Sequence, residues 1–316
     1  MIALVKPALL IFVFVILIGC SDTSPSAPAA LAPAGSPPTT ASPAVAPLPS
    51  ALHIFVIVME NKSYSEVIGN PAARYENELV ASYGLATRYY AVAHPSLPNY
   101  LALLAGDTLG VRSDCVDCFQ DAPNLVDELE AAGHTWRAYM EDLPAPCSTV
   151  TSAGRYDVKH DPFLYFRDIR DRPQRCRNVV PLAAISRDLS SGDIADFVWI
   201  TPNENHNSHD APVETGDDWL RDFVPQILLS PAWMQGGLLF ITWDEGNDDG
   251  GCCGQSGGGH IPLLVIAPGM HPGTRTASPF DHYGLLGAIE DLWQLPPLGR
   301  SSRASSRWLA ELFQLP

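Results

Sequence analysis

Positive charge is scarce in this chain. Its 316 residues include 19 Lys and Arg against 35 Asp and Glu, for a formal net charge of −16. A protein with this imbalance is a poor electrostatic partner for the phosphate backbone of nucleic acid or for an anionic lipid surface. We therefore expect no nucleic-acid partner. Any anionic ligand would need a local source of positive charge, and a metal ion supplies it most directly.

Three further absences narrow the class of protein. The chain has no internal repeat of solenoid length, which excludes repeat architectures. The glycine-rich segment 250–259 lacks the Lys-Ser/Thr pair of a phosphate-binding P-loop, so we interpret it as a flexible turn. The Cys/Ser-x-Pro-x-Arg motif that sulfatases modify into their nucleophile is also missing.

The apolar run at the N-terminus is short. Lys6 precedes the apolar residues 8–18, and Gly19-Cys20 ends the run. This pattern predicts a secretory signal peptide over 1–19 and resembles a bacterial lipoprotein lipobox, in which Cys20 carries the lipid. A transmembrane anchor is the alternative, but the run is shorter than the about 20 residues that a span needs. We expect an extracytoplasmic protein on the periplasmic or outer face of the outer membrane, held there by this lipid.

The composition then changes twice along the chain. Residues 21–50 are almost all Ala, Pro, Ser, Thr, Gly and Leu, which is typical of a disordered tether. With Cys20, this predicts a tether over 20–50 and one folded domain over 51–316. Inside the domain, Pro, Cys, Arg and aromatic residues over 143–181 interrupt the pattern of strands and helices. We interpret that segment as a lid or insertion.

Seven cysteines are present, of which Cys20 is assigned to the lipid. An even number of remaining cysteines in an exported protein favours disulfides, with about 15 possible pairings. We expect Cys147 and Cys176 to pin the lid, while the other pairings stay open. A zinc site built from the remaining four is the alternative. Those four are Cys115, Cys118, Cys252 and Cys253.

Runs of apolar and β-branched residues alternate with amphipathic helical segments through the folded domain. Such runs are typical of strands buried on both faces of a parallel sheet. Helical segments between them predict an α/β fold, a three-layer sandwich with a mostly parallel central sheet. The predicted buried strands are 53–59, 197–201, 237–243 and 261–267.

Polar clusters follow three of these strands where each strand ends. Glu60 and Asn61 follow the first, a run rich in His, Asn and carboxylates (203–210) follows the second, and Asp244 and Glu245 follow the third. Because parallel strands place their carboxyl ends on one edge of a sheet, we expect these groups to converge. Gathered carboxylates repel one another unless they are protonated or bind a cation. Oxygen ligands with Asn and His indicate a divalent metal ion.

Ser96 lies at the start of a short apolar helix. A Pro-Ser-x-Pro-Asn turn opens the helix, and Gly106 ends it. Unpaired N–H groups and the helix dipole favour an anion there. The hydroxyl is either an ordinary helix cap or a nucleophile with an anion cradle beside it. The converging carboxylates favour the nucleophile.

Short motifs in a fixed order make the chain similar to a known family. Residues 59–64 (Met-Glu-Asn-Lys-Ser-Tyr) resemble the Met-Glu-Asn-x-Ser-Phe/Tyr signature of the bacterial phosphoesterases, which include phospholipases C and acid phosphatases. The segments that follow in that family's order are 94–100 (His-Pro-Ser-Leu-Pro-Asn-Tyr), 202–210, 242–246 (Thr-Trp-Asp-Glu-Gly) and 282–283 (His-Tyr). The resemblance covers 51–298.

This resemblance implies an alkaline-phosphatase-like fold and a metal-assisted serine nucleophile. It assigns Ser96 as the nucleophile and as a metal ligand, and His209 as the group that protonates the leaving group. Asn99 and His160 would contact the phosphate. The other implied metal ligands are Glu60, Asn61, Asp244 and Glu245, and further candidates for the site are Asn203, His206, Asp210 and His282. The ion would be Zn, Ca, Mg or Mn.

The resulting functional hypothesis is a metal-dependent phosphoesterase that hydrolyses small phosphate monoesters through a phosphoserine. A phospholipase C-type phosphodiesterase is the first alternative, and the short stretch after the last motif favours the phosphatase over it. A catalytically inactive surface lipoprotein with a binding role is the second alternative.

Overall fold

A fully apolar strand lies at the centre of the domain. In the computed structural model, which describes residues 48–254 and 257–313, the first strand β1 is His53–Met59, and every residue after His53 is buried. Successive side chains of a strand point to opposite faces, so both faces of the sheet are covered here. The predicted signal peptide, Cys20 and the tether up to residue 47 lie outside the described residues.

The main sheet has nine strands within the described part of the chain, in the order β10-β2-β9-β8-β1-β7-β3-β6, with β11 beside β2. From β8 to β6 the strands are parallel. β4 and β5 form a separate hairpin. The strands after β1 are β2 Gly84–Tyr90, β3 Trp136–Met140, β4 Ser152–Ala153, β5 Tyr156–Asp157, β6 Val179–Pro181, β7 Phe197–Thr201, β8 Gly237–Trp243, β9 His260–Ile266, β10 Arg275–Thr276 and β11 Phe280–Asp281.

The sheet confirms a mostly parallel α/β fold, with one pairing that the apolar runs do not reveal. β9 is buried like its neighbours yet pairs antiparallel with both β8 and β2. Its carboxyl end therefore lies at the opposite edge from those of β1, β7 and β8. β2 was not predicted at all, because its polar second half and a register irregularity between Ala86 and Tyr89 break the apolar pattern.

The longer helices pack in two groups. α8 contacts α2, α7 and α9, and α3 contacts α4 and α10. The α-helices are α1 Tyr64–Val67, α2 Arg74–Ser82, α3 Ser96–Ala105, α4 Leu125–Ala132, α5 Arg167–Arg170, α6 Pro173–Cys176, α7 Ile185–Ser191, α8 Val213–Leu228, α9 Pro231–Met234, α10 His282–Trp293 and α11 Arg307–Phe313. Short 3₁₀ helices cover Val158–His160, Pro162–Tyr165, Leu182–Ala184 and Gly299–Arg303. None of the helices in the described residues is long and apolar enough to cross a membrane.

The segment 143–181, predicted as a lid or insertion, is part of the core. It supplies β6 to the main sheet, and its residues 163–166 are almost fully buried. A disulfide joins Cys147 to Cys176, as predicted.

The four remaining cysteines also form disulfides. They pair as Cys115–Cys118 and Cys252–Cys253. The zinc alternative for these four is therefore wrong, since paired sulfurs offer no thiolate ligands.

A buried carboxyl lies near the C-terminal end of α10. Oε1 of Glu290 accepts a hydrogen bond from the Leu298 N–H at 2.9 Å, while Oε2 has no partner among the described residues. Burial raises the pKa of Glu290 to about 7. The native state therefore holds this proton at a pH at which the unfolded chain releases it.

We predict that Glu290 makes the protein less stable as pH rises. The free energy of unfolding should fall between pH 4.5, the ordinary pKa of the group, and about pH 7, with no further change from Glu290 above that. Chemical denaturation across this range measures the slope. Glu290→Gln should flatten it, and Asp291→Asn, at an exposed position on the same helix, should not. Identical pH profiles for wild type and Glu290→Gln would contradict the prediction.

Candidate active site

Ser96 is the first residue of α3 and is 1 % exposed. Pro95, which follows a cis peptide bond, occupies the N-cap position, and the Ser96 side chain caps no backbone N–H. The hydroxyl instead lies 3.1 Å from Glu60 Oε2 and 3.3 Å from Glu245 Oε1. The helix-cap alternative for this serine is therefore wrong.

The end of α3 requires glycine. Gly106 has φ 66°, in the left-handed region, and a Cβ there would lie 2.1 Å from the Leu298 carbonyl oxygen. The helix is thus held against the C-terminal segment at its far end. This contact fixes the helix that carries Ser96 at its other end.

Three carboxylates surround the hydroxyl at the ends of two neighbouring strands. β1 and β8 pair in parallel with Met59 opposite Trp243, so Glu60 and the pair Asp244-Glu245 emerge side by side. All three are buried. Burial raises the pKa of each, and the charges of Glu60 and Glu245 raise the pKa of Asp244 further.

This carboxylate cluster fits a cation. Oδ2 of Asp244 is buried without a hydrogen bond of ordinary geometry among the described residues, and Oδ1 accepts one from the Asn61 N–H at 3.2 Å. Asn61 has φ 44°, a left-handed conformation at the end of β1. Three carboxylates and a hydroxyl offer the hard oxygen ligands that divalent ions prefer. These residues meet around Ser96 as the sequence predicts.

A line of polar contacts extends from Glu60 to the loop after β7. His160 Nε2 lies 3.1 Å from Glu60 Oε1, and its Nδ1 lies 3.4 Å from Glu204 Oε1. His209 Nδ1 lies 3.2 Å from Glu204 Oε2 and 2.9 Å from Asp210 Oδ1. Burial lowers the pKa of His160 to about 3, so this ring is neutral and can donate to only one of the two carboxylates beside it.

Lys159 supplies the positive charge at this end of the site. Its Nζ lies 3.3 Å from His209 Nε2 and 3.9 Å from Glu204 Oε1. Nearby carboxylates, Glu204 foremost, raise its pKa against the opposing effect of burial. Ligand atoms of Glu204, His209 and Asp210 lie within 4.8 Å of one another, close enough to hold an ion.

Lys159 and three further site residues escaped prediction. Tyr100 donates a hydrogen bond to Glu60 Oε1, and His94 contacts Glu245 Oε2. Tyr100 lies four residues after Ser96 on α3, hence on the same helix face, and that spacing was a usable signal. Glu204 lies inside the polar run after β7, where nothing in the pattern distinguishes it from its neighbours.

Three of four further predicted site residues support the backbone around the site. The Asn99 side chain accepts from the N–H groups of Val92 and Ala93 and donates to the carbonyls of Ala93 and Pro95. His282 bridges the Asp244 carbonyl and the Tyr89 hydroxyl. Asn203 Oδ1 accepts from backbone N–H groups of its own loop.

The fourth, His206, faces away from the Ser96 cluster. Its Nδ1 lies 2.9 Å from Glu141 Oε2, and its ring stacks on Trp219. Contact of Asn99 and His160 with phosphate stays a prediction.

Comparisons with known proteins identify the family of this chain. The family model described as the Phosphoesterase family matches residues 70–296. The chain belongs to the Phosphoesterase family. It is accordingly a phosphoric ester hydrolase, which confirms both the resemblance and the enzyme class expected from the motifs.

Relatives with assigned names are phosphatases. The phosphatidylinositol-3-phosphatase of Mycobacterium tuberculosis is 34% identical over 262 residues, which are 83% of this chain and 83% of that protein. A probable acid phosphatase of Kluyveromyces lactis is 29% identical over 78% of this chain and 59% of its own length. An acid phosphatase of Aspergillus fumigatus is 29% identical over 78% of this chain and 56% of its own length. This chain thus spans little more than half of the fungal relatives.

Solved structures support the fold. An alkaline phosphatase superfamily protein from Vibrio parahaemolyticus aligns with a TM-score of 0.53 at 14% identity, covering 84% of this chain and 74% of that one. Mouse ectonucleotide pyrophosphatase/phosphodiesterase 5 aligns with a TM-score of 0.54 at 12% identity. The alignment covers 83% of this chain and 100% of that one. At these identities the similarity concerns the fold alone, and it confirms the predicted alkaline-phosphatase-like architecture.

We predict that Asn99→Ala destabilises the fold. It would leave the buried N–H of Val92 and its neighbour without an acceptor, at a cost of about 1–3 kcal/mol in the free energy of unfolding. Urea denaturation measures this. Asn205→Ala is the matched control, because that side chain has no hydrogen bond within the described residues. Equal stability losses in the two variants would contradict the role assigned to Asn99.

Proposed function

We propose that this phosphoesterase is a metal-dependent phosphomonoesterase that works through a phosphoserine at Ser96. The observation that carries the proposal is the position of the Ser96 hydroxyl, buried at the start of α3 within 3.3 Å of two carboxylates and capping nothing. A serine with a purely structural role would not be stabilised by such a site, because buried like charges cost stability unless a cation or proton offsets them. A nucleophilic serine benefits from the nearby carboxylates, since it needs an acceptor for its proton.

In the proposed first step, Ser96 Oγ attacks phosphorus and passes its proton to a carboxylate that accepts its hydrogen bond. An Oγ–P bond forms, the bond from phosphorus to the ester oxygen breaks, and His209 protonates the departing oxygen. Contacts to Glu204 and Asp210 orient the His209 ring for this task. Lys159, beside His209, stabilises the negative charge that develops there.

In the second step, water attacks the phosphoserine. The new O–P bond replaces the Oγ–P bond, one proton of the water returns to His209, and Ser96 recovers its own. The sum of the steps is ester plus water to alcohol plus inorganic phosphate.

The metal would be held by Glu60, Asp244 and Glu245 together with Ser96 and Asn61. Bound there, a divalent ion supplies charge stabilisation for the serine oxygen and the phosphoryl oxygens. Tyr100 and His94 would hold the carboxylates Glu60 and Glu245 in place by their hydrogen bonds.

Substrates are proposed to be phosphate monoesters. The names of the relatives, phosphatidylinositol-3-phosphatase and acid phosphatase, denote removal of a monoester phosphate. We further propose that the protein is exported and held to the outer membrane through a lipid on Cys20, with 20–50 as its tether.

Ser96→Ala should abolish turnover of p-nitrophenyl phosphate. We expect kcat to fall by at least about a thousandfold, because the nucleophile is lost. The melting temperature should hold or rise, since the hydroxyl caps no backbone group. Acid quench of wild type during turnover should yield a phosphorylated peptide that contains Ser96.

Ser301→Ala is the control for a buried serine outside the site, where Oγ bonds the Leu298 carbonyl. It should retain activity. Full turnover by Ser96→Ala would refute the mechanism.

Metal removal should inactivate the enzyme and lower its melting temperature. Restoring Zn, Ca, Mg or Mn at about 100 times its dissociation constant should add about 2.7 kcal/mol to the free energy of unfolding. Asp244→Asn should abolish that gain, while Asp210→Asn, in the neighbouring ligand group, should not. The reverse pattern would place the ion at Glu204, His209 and Asp210 instead and contradict the ligand set proposed here.

A further inference from the structure

A cavity lies next to His94, which contacts a carboxylate of the Ser96 cluster. It has a volume of about 600 Å³, and His94 forms part of its wall. Nδ1 of His94 contacts one oxygen of Glu245, and the other oxygen of Glu245 lies 3.3 Å from the Ser96 hydroxyl. One carboxylate therefore separates the cavity wall from the reacting group. A volume of this size accommodates part of a small molecule.

The charge of this cavity is opposite to that of the protein. Arg112 and Arg300 line it, and no carboxylate is among its lining residues in the described part of the chain. The whole chain carries a net charge of −16. Thr108 and Tyr283 add hydroxyl groups to the wall, so every titratable or hydroxylic side chain there can donate a hydrogen bond.

The two arginines differ in how they are held. Arg300 Nε lies 3.4 Å from Asp107, and its guanidinium lies 5.5 Å from the ring centre of Tyr283. These contacts set its direction. Arg112 is exposed and makes no ion pair or hydrogen bond with any described residue. A wall that contains one oriented arginine and one exposed arginine without a partner among the described residues suits an anion that enters from solvent.

The cavity continues past Arg300. A neighbouring cavity of about 370 Å³ shares Arg300 and Tyr283 with it and adds Arg303. This cavity also contains Asp281, whose carboxylate Oδ1 is occupied in accepting the N–H groups of Tyr283 and Gly284. The basic surface thus extends from the wall that contains His94 to Arg303.

Resting on the function proposed above, we propose that this arginine cavity binds a second phosphate group of the substrate. The preferred substrate is then a phosphate monoester that carries another phosphate, one group at Ser96 and the other between Arg112 and Arg300. Guanidinium groups match phosphate oxygens in paired hydrogen bonds, which favours phosphate over a neutral extension of the substrate. Such a substrate is either a soluble bisphosphate or a lipid headgroup that bears a monoester and a diester phosphate.

The test compares Arg112→Gln with wild type on three substrates. These are p-nitrophenyl phosphate, inositol 1,3-bisphosphate and dibutanoyl phosphatidylinositol 3-phosphate. We expect KM for at least one doubly phosphorylated substrate to rise roughly tenfold, with kcat unchanged, because one charge-assisted contact is lost. Both constants for p-nitrophenyl phosphate should stay the same, and Arg112→Lys should recover part of the loss.

Arg221→Gln is the matched control, since it removes one positive charge from an exposed position on α8. It should leave all three substrates unaffected. Selective loss with the soluble bisphosphate, the lipid or both supports the subsite and identifies the source of the second phosphate. An equal change for all three substrates, or no change, overturns it. If wild type hydrolyses none of the three, the phosphatase function itself fails, which the p-nitrophenyl phosphate arm distinguishes from failure of the subsite alone.

Discussion

The burial of like charges around one hydroxyl is the constraint on which this structure depends. Glu60, Asp244 and Glu245 are taken out of water beside Ser96, and burial raises the pKa of each carboxyl. In the native fold such a cluster needs protons, a cation or donors to offset its cost. Tyr100 and His94 provide donors, and the rest of the deficit is the reason to infer a divalent ion. The stability of the fold and the proposed catalysis therefore depend on the same cluster of carboxylates.

The sheet makes that burial possible. β1 and β8 run side by side in parallel, so residues far apart in sequence emerge at adjacent positions of the same edge. Helix α3 then brings the hydroxyl against this edge, and the segment with His160 closes the other side. Because 163–166 are core residues, the closing segment is fixed by packing and by the disulfide Cys147–Cys176. Packing of this kind preorganises the residues around the site.

Acidic and basic groups are separated around the site. The carboxylates cluster at Ser96, and Glu245 with His94 separates Ser96 from the cavity that Arg112 and Arg300 line. An acidic protein that handles anionic esters must collect positive charge locally, since the field of the whole chain repels them. The inferred metal ion, Lys159 and the arginine cavity are the local sources. This division explains how a chain of net charge −16 can accept a phosphorylated substrate.

Sequence alone determined four buried strands, the helix that begins at Ser96 and the carboxylates that meet there, because buried strands are apolar throughout and parallel strands end on one edge. It also determined the family, through short motifs in order. Only the tertiary structure decided that β9 runs antiparallel, that Asn99 and His282 bond to backbone, and that His206 turns to Glu141. The physical reason is that periodicity reports which residues are buried, whereas strand direction and the partner of a polar side chain depend on contacts between distant segments. Arg112 is the clearest case, since nothing near it in sequence indicates the cavity that it lines.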